Sequence, residues 1–277
     1  MAAKTDKGGM KMGYFTSEKI RPDVTRISCP GNVYAYLAEG KKSAVLIDTG
    51  FGVGSLKAYV DSLTSLPYVV LLTHGHLDHA SGAGEFSEVY MSLLDLQLAE
   101  EHTRIEGRTD SFEDIPAGDF IQPLDPEHYL PLTDGQNFDL GGLTVTALAL
   151  PGHTPGSMAI LIREHRLILL GDACNDYGFL QLPGSSSVRE YRDSLIAFRK
   201  NENLFDAVIY SHPHNRGGKE ILEETIQLCE EVLAPDFTGI SVDNTQWGGG
   251  NAWLAKVVDE KGHRLDGGRA NFIYREK

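Results

Sequence analysis

Within Thr73-His74-Gly75-His76-Leu77-Asp78-His79, four imidazole or carboxylate groups fall within six positions. Packing has no use for such a run. Imidazole together with carboxylate is the donor set of a borderline divalent cation such as zinc. The run follows Tyr68-Val69-Val70-Leu71-Leu72, a short β-branched stretch, which places it in a loop at a strand's end. His74 and His76, two residues apart, point the same way on an extended backbone. Asp78 and His79, after a turn, address a neighbouring point. The pattern therefore predicts two metal positions served by one loop.

One loop does not complete two coordination spheres. Three later residues share the same context of an apolar strand followed by a ligand type: ALALPGH delivers His153, LILLGD delivers Asp172 and AVIYSH delivers His212. The expected set is His74, His76 and His153 on one ion, and Asp78, His79 and His212 on the other. Asp172 bridges them and lowers the repulsion between two cations. His214, two residues past His212, is the alternative last ligand. Cys174, two residues past Asp172, competes for the bridging place, but the Gly171-Asp172 turn after a strand fits it better.

HGHLDH followed in order by His153, Asp172 and His212 resembles the metallo-β-lactamase-fold superfamily over about residues 25–215. The resemblance implies an α/β fold, a four-layer αββα sandwich of two mixed β-sheets with helices outside and metals at one edge. It makes Asp48, in Asp48-Thr49-Gly50, a carboxylate that steadies the metal loop from behind, and puts Thr154 and Ser157 beside His153. Aspartate at 172, where the true β-lactamases carry Cys or Ser, is similar to glyoxalase-II-like and lactonase-like hydrolases. The strand-like tail departs from the helical segment with which glyoxalase II holds glutathione. The implied activity is a metal-dependent hydrolase with two divalent ions, zinc first and iron or manganese as alternatives. Bound hydroxide attacks an ester, lactone or thioester, with Asp172 bridging and Asp78 orienting the nucleophile. Other members imply alternatives: a mononuclear iron persulfide dioxygenase on His74, His153 and Asp172, a β-lactam or phosphodiester hydrolase, or a non-catalytic binding protein that keeps the metals.

The elements that must position these residues are legible as short runs. Strands are expected at VTRIS, NVYAYLAEG and SAVLID, a helix from Ser55 to Pro67, and a further helix over SLLDLQLAEEHTRI. Residues 107–137, rich in proline, read as a long loop and, with residues 177–190, as substrate walls. Tyr177, Phe179 and Arg189 enter as wall candidates by proximity to Asp172. Helices are expected over VREYRDSLIAFRKN and KEILEETIQLCEEVLA, then a tail of short strands over residues 238–277, with a turn at Gly248-Gly249-Gly250. His102, His128, His165 and His263 read as surface or partly buried residues.

The chain has 277 residues and a formal net charge of −14, which counts against nucleic acid and polybasic membrane contacts. Three scattered cysteines fit a reducing compartment, and no apolar run has the length of a membrane span. The expectation is a single cytoplasmic domain over 1–277, with a loose terminus at 1–12, acting on a small-molecule substrate.

Overall fold

The computed structural model describes residues 13–112, 114–215, 218–245 and 249–277. The expected loose terminus at 1–12, Trp247 and Gly248 lie outside them. The chain gathers into two compact units, the first ending at Ala147 and the second beginning at Leu148.

The first unit is built on a seven-stranded mixed sheet in sequential order. Its strands are β1 (Thr16–Arg21), β2 (Val24–Cys29), β3 (Val33–Glu39), β4 (Ala44–Ile47), β5 (Tyr68–Leu71), β6 (Val89–Met91) and β7 (Tyr129–Pro131). Pairing is antiparallel from β1 to β4 and parallel from β4 to β7. The change of direction follows from α1 (Leu56–Leu63), which carries the chain back between β4 and β5 as a parallel pair requires. Ser55 caps α1 by accepting from Ala58 N. β4 is buried along its whole length, which suits its unbroken apolar run. Ile27, Val33, Leu46, Leu56, Val70 and Met91 belong to one buried cluster, each such side chain contributing about 1.5–3 kcal/mol by leaving water.

Two features of this unit differ from the sequence reading. β1 has no apolar alternation and is exposed over most of its length, so nothing in Thr-Ser-Glu-Lys-Ile-Arg announces a strand. Cross-strand ion pairs on this edge, Arg26 with Glu18 and Lys19 with Glu39, are what the sequence pattern leaves out. The expected single helix after Ser92 is three pieces: a 3-10 turn (Leu93–Asp95), α3 (Leu96–His102) and α4 (Ile105–Thr109). The break comes at Thr103, whose hydroxyl bonds back to Ala99 O at 2.8 Å. After β5, α2 (Leu77–Ala80) makes one helical turn of the His-rich loop, with His76 at its N-cap.

Strands β8 (Asn137–Asp139), β9 (Thr144–Ala149), β10 (Met158–Ile162), β11 (Leu167–Leu169) and β13 (Ala207–Ile209) form a five-stranded mixed sheet, and the division between units falls inside β9. The tail strands β14 (Ile240–Val242), β15 (Ala252–Leu254) and β16 (Asn271–Tyr274) join β12 (Tyr177–Leu180) in a third, four-stranded sheet, in addition to the two expected. Helices α5 (Val188–Phe198) and α6 (Ile221–Leu233) fall where the periodicity puts them, and α5 opens on a capping box of Ser187 and Glu190. Their buried faces pack into the second unit's own core with Leu161, Ile168, Leu170, Phe205 and Phe272. No helix among the described residues is long and apolar enough to cross a membrane.

Candidate metal centre

Parallel pairing positions the first cluster. Ile47 is opposite Leu71, so the residues that follow each strand, Asp48 and Leu72-Thr73, emerge side by side. Asp48 turns there with φ 61°, a left-handed conformation that aspartate tolerates better than most residues. Its carboxylate accepts from Thr73 N at 2.8 Å, from Thr73 Oγ1 at 2.9 Å, and lies 2.9 Å from His79 Nδ1. Thr49 continues the hold, with its N–H and hydroxyl both donating to His79 O. Gly75 lies so close to the α3 segment that a Cβ there would come within 2.9 Å of Asp95 O, and its N–H donates to the buried Asp95 carboxylate at 2.9 Å. The loop is thus fixed from two sides.

The imidazoles crowd as ligands do. The rings of His74 and His76 are 4.8 Å apart, those of His74 and His79 are 4.1 Å apart, and all three side chains are buried. Asp78 Oδ2 is 3.4 Å from His79 Nε2. His76 also stacks on His102 at 5.1 Å, with the planes 21° apart.

A second parallel pairing positions the second cluster. Leu169 is opposite Ile209, and Asp172 and His212 each lie three residues past that pair. They meet: His212 Nε2 is 3.2 Å from Asp172 Oδ2. The same carboxylate oxygen is 3.9 Å from His153 Nε2. His153 comes from the loop between β9 and β10, where Thr154 N and Oγ1 are held by Ser157 Oγ at 3.0 and 2.8 Å. Gly152 is required in that loop, since a Cβ would run into the Tyr191 ring at 2.2 Å. His214 is exposed and stacks on His212 with the rings 5.6 Å apart, and it is His212 whose Nε2 meets Asp172. Cys174 is buried against α6, 3.5 Å from Thr225 Oγ1, and faces none of these groups.

The outer hydrogen bonds decide which imidazole nitrogen carries a proton. Phe179 O, 2.9 Å from His153 Nδ1, only accepts, so Nδ1 is the protonated nitrogen of His153. The Asp48 carboxylate makes the same demand of His79 Nδ1. Thr73 gives its single hydroxyl proton to Asp48 and therefore accepts, at 3.1 Å, from His74 Nδ1. In all three neutral rings Nε2 keeps its lone pair, the form that binds a divalent cation. His79 Nε2 and His153 Nε2 lie 3.4 and 3.9 Å from carboxylate oxygens of Asp78 and Asp172, a spacing that a ring proton or a shared cation satisfies. The donor set fits a metal.

Sequence reasoning reached the seven proposed ligands and Asp48 but missed Asp95, His102 and the Phe179 carbonyl. Asp95 lies within a run that reads only as helix, His102 reads as a surface or partly buried residue, and a backbone carbonyl leaves no mark in a sequence.

A family profile described as the metallo-beta-lactamase superfamily matches residues 30–205, and the chain belongs to that superfamily. It is similar to an acyl-coenzyme A thioesterase, MBLAC2, of Gallus gallus, 28% identical over 175 residues, covering 56% of this chain and 62% of that one. An atrochrysone carboxyl ACP thioesterase of Aspergillus fumigatus is 27% identical over 202 residues, covering 72% of this chain and 41% of the relative. The chain thus spans less than two thirds of the length of both relatives. Among solved structures, a metallo-beta-lactamase from Pontibacter korlensis shares the fold with a TM-score of 0.58 at 20% identity, covering 78% of this chain and 99% of that chain.

Proposed function

We propose that this chain is a metal-dependent thioester hydrolase with a dinuclear centre, its two units being the halves of one catalytic domain. His74, His76 and His153 would hold one ion and Asp78, His79 and His212 the other, with Asp172 available to both. The observation that carries the reading is that Nδ1 of His74, His79 and His153 is held by Thr73, Asp48 and Phe179 O, which turns Nε2 inward, with those of His79 and His153 beside carboxylate oxygens of Asp78 and Asp172. Two divalent ions, zinc first among them by donor chemistry, supply Lewis acidity that makes hydroxide available near neutral pH and draws charge off an acyl oxygen.

The chain's own residues then have distinct tasks. Asp172 places one oxygen between His153 and His212, which suits a bridge. Asp78 keeps a partly exposed carboxylate on the loop and orients the attacking water by accepting its proton. Asp48 and Thr73 hold His79 and His74 in the required tautomer. A thiolate leaves without full protonation, so the site needs no separate general acid, and this favours thioesters over plain esters. The names of the two thioesterase relatives support the same class.

Elemental analysis of protein purified without chelator, followed by a panel of ester, lactone, thioester and β-lactam substrates on the same preparation, tests the proposal. Two divalent ions per chain with turnover of thioesters is the expected outcome. One iron per chain, or no turnover on any of the four classes, overturns it.

A further inference from the structure

The second unit contains a cleft of about 320 Å³ that the proposed hydrolysis does not use. Asp176, Tyr177 and His214 form one wall, and the turn that carries Lys261, His263, Arg264 and Arg269 forms the other. The first wall follows directly on the proposed ligands: Tyr177 lies five residues past Asp172, and the His214 ring is stacked on His212 at 5.6 Å. Three permanent cations and one carboxylate line the cleft, and Arg264 and Arg269 are in turn paired with Asp266, Glu220 and Glu224, which leaves Lys261 as the cation without an ion pair to a described residue.

The cations are not equivalent. Arg264 is scaffold: it forks onto Asp266 at 2.8 and 2.6 Å and donates to Ala270 O, which pins the turn. Arg269 gives only Nη2 to Glu220 and Glu224, so its Nε and Nη1 donate to no described residue. Lys261 is held by its backbone N–H on Asp259, and its ammonium bonds no described residue. Tyr177 likewise engages by its backbone N–H and a ring contact with Phe179, leaving its hydroxyl without a bond to any described residue. The ion pairs of Arg269 with Glu220 and Glu224 leave these donors unspent. Guanidinium N–H groups, an ammonium and a hydroxyl on residues that line one cleft are donors of the kind that a phosphate accepts from.

We propose that this cleft takes the phosphate of a phosphorylated pantetheine arm, the thiol half of the thioester, with Lys261 and Arg269 as its charged contacts. The assignment rests on the thioester reading above and adds the side of the substrate on which selectivity lies. The acyl half then extends away from His214, and the thiol half lies along Tyr177 toward the turn.

The test measures binding of coenzyme A, 4′-phosphopantetheine and pantetheine to the metal-loaded full chain by titration calorimetry, together with kcat/KM for one acyl group on each thiol. Coenzyme A and phosphopantetheine are expected to bind roughly tenfold more tightly than pantetheine, the size of one charge-assisted hydrogen bond, and the advantage should shrink with added salt. Equal gains for both place recognition on the pantetheine phosphate, while a gain for coenzyme A alone overturns that assignment in favour of the nucleotide. In Lys261→Glu, and separately in Arg269→Ala, the preference for the phosphorylated thiols over pantetheine should fall to about threefold or less. Lys261 supports no contact in the fold, so its variant remains informative if Arg269→Ala unfolds. A preference unchanged in Lys261→Glu, or wild-type thioester turnover indifferent to the phosphate, overturns the cleft assignment and leaves the thioesterase reading standing. Tight, Lys261-dependent binding of phosphopantetheine without turnover of any thioester does the reverse.

Discussion

Asp48 is fully buried, adopts a backbone conformation that few residues accept, and spends its carboxylate on Thr73 and His79. It acts through Thr73 and His79, so its role is measurable in metal affinity. Asp48→Asn keeps the volume but offers one acceptor oxygen where two are used, so His79 and Thr73 lose their common anchor. Metal affinity, followed by competition with a chelator and elemental analysis, is expected to fall 10- to 100-fold. An unchanged affinity would mean that the tautomer of His79 is set elsewhere. Gly75 makes a second case. In Gly75→Ala the new methyl would lie 2.9 Å from Asp95 O and 3.1 Å from Ala99 N, both backbone atoms that do not swing away. Overpacking of this kind costs about 1–3 kcal/mol, and a lowered melting temperature with reduced metal content is expected. At this scale the sequence was most legible where spacing alone carried meaning, as in His74, His76, Asp78 and His79. Asp95 and His102 were illegible because their importance lies in contacts with Gly75 and His76, twenty or more residues earlier in the chain.

Between residue and molecule, the parallel pairs explain why the ligands come where they do. Ile47 opposite Leu71 aligns Asp48 with the start of HGHLDH, and Leu169 opposite Ile209 aligns Asp172 with His212. Both alignments were readable as strand-then-ligand runs, whereas the registers were not. β1 escaped because a charged edge strand looks like a loop, and the helix after Ser92 was drawn too long because nothing local marks its break at Thr103. Within residues 107–137, which read as a loop, one buried side chain ties the described backbone down, and no local pattern marks it. Arg108 on α4 is fully buried and donates to Phe51 O at 3.1 Å and Ile121 O at 2.7 Å. Burial lowers its pKa to about 10, which still leaves it a cation at neutral pH. Arg108→Leu removes both donors and strands two carbonyls, a loss of about 2–4 kcal/mol in denaturant titrations. Protease cleavage within residues 104–121 is expected to precede global unfolding in this variant; resistance equal to wild type would show that other contacts hold the segment.

Each unit has its own buried core, and ions held as proposed, by ligands from both, would tie the units together. The three buried thiols report on each unit separately, Cys29 in the first and Cys174 and Cys229 in the second. Burial pushes Cys29 up to about 12 and Cys174 up to about 11, so in the native state neither offers a thiolate at pH 8. The sign for stability follows. Unfolded thiols ionise near 9.0 while the folded ones stay protonated, so stability present below that pH is lost as pH rises toward 11–12. The metal-loaded protein at pH 8 should therefore resist a thiol reagent, and all three cysteines should react in denaturant. Chelation removes a ligand that binds only the folded form, worth about 2.7 kcal/mol where free metal stands at 100 times its dissociation constant. A single calorimetric transition is expected with metal, and two lower ones after chelation, with Cys29 reacting across one transition and Cys174 and Cys229 across the other. If chelation leaves the melting curve and the order of thiol exposure unchanged, the ions do not tie the units, and the division of ligands between them is wrong.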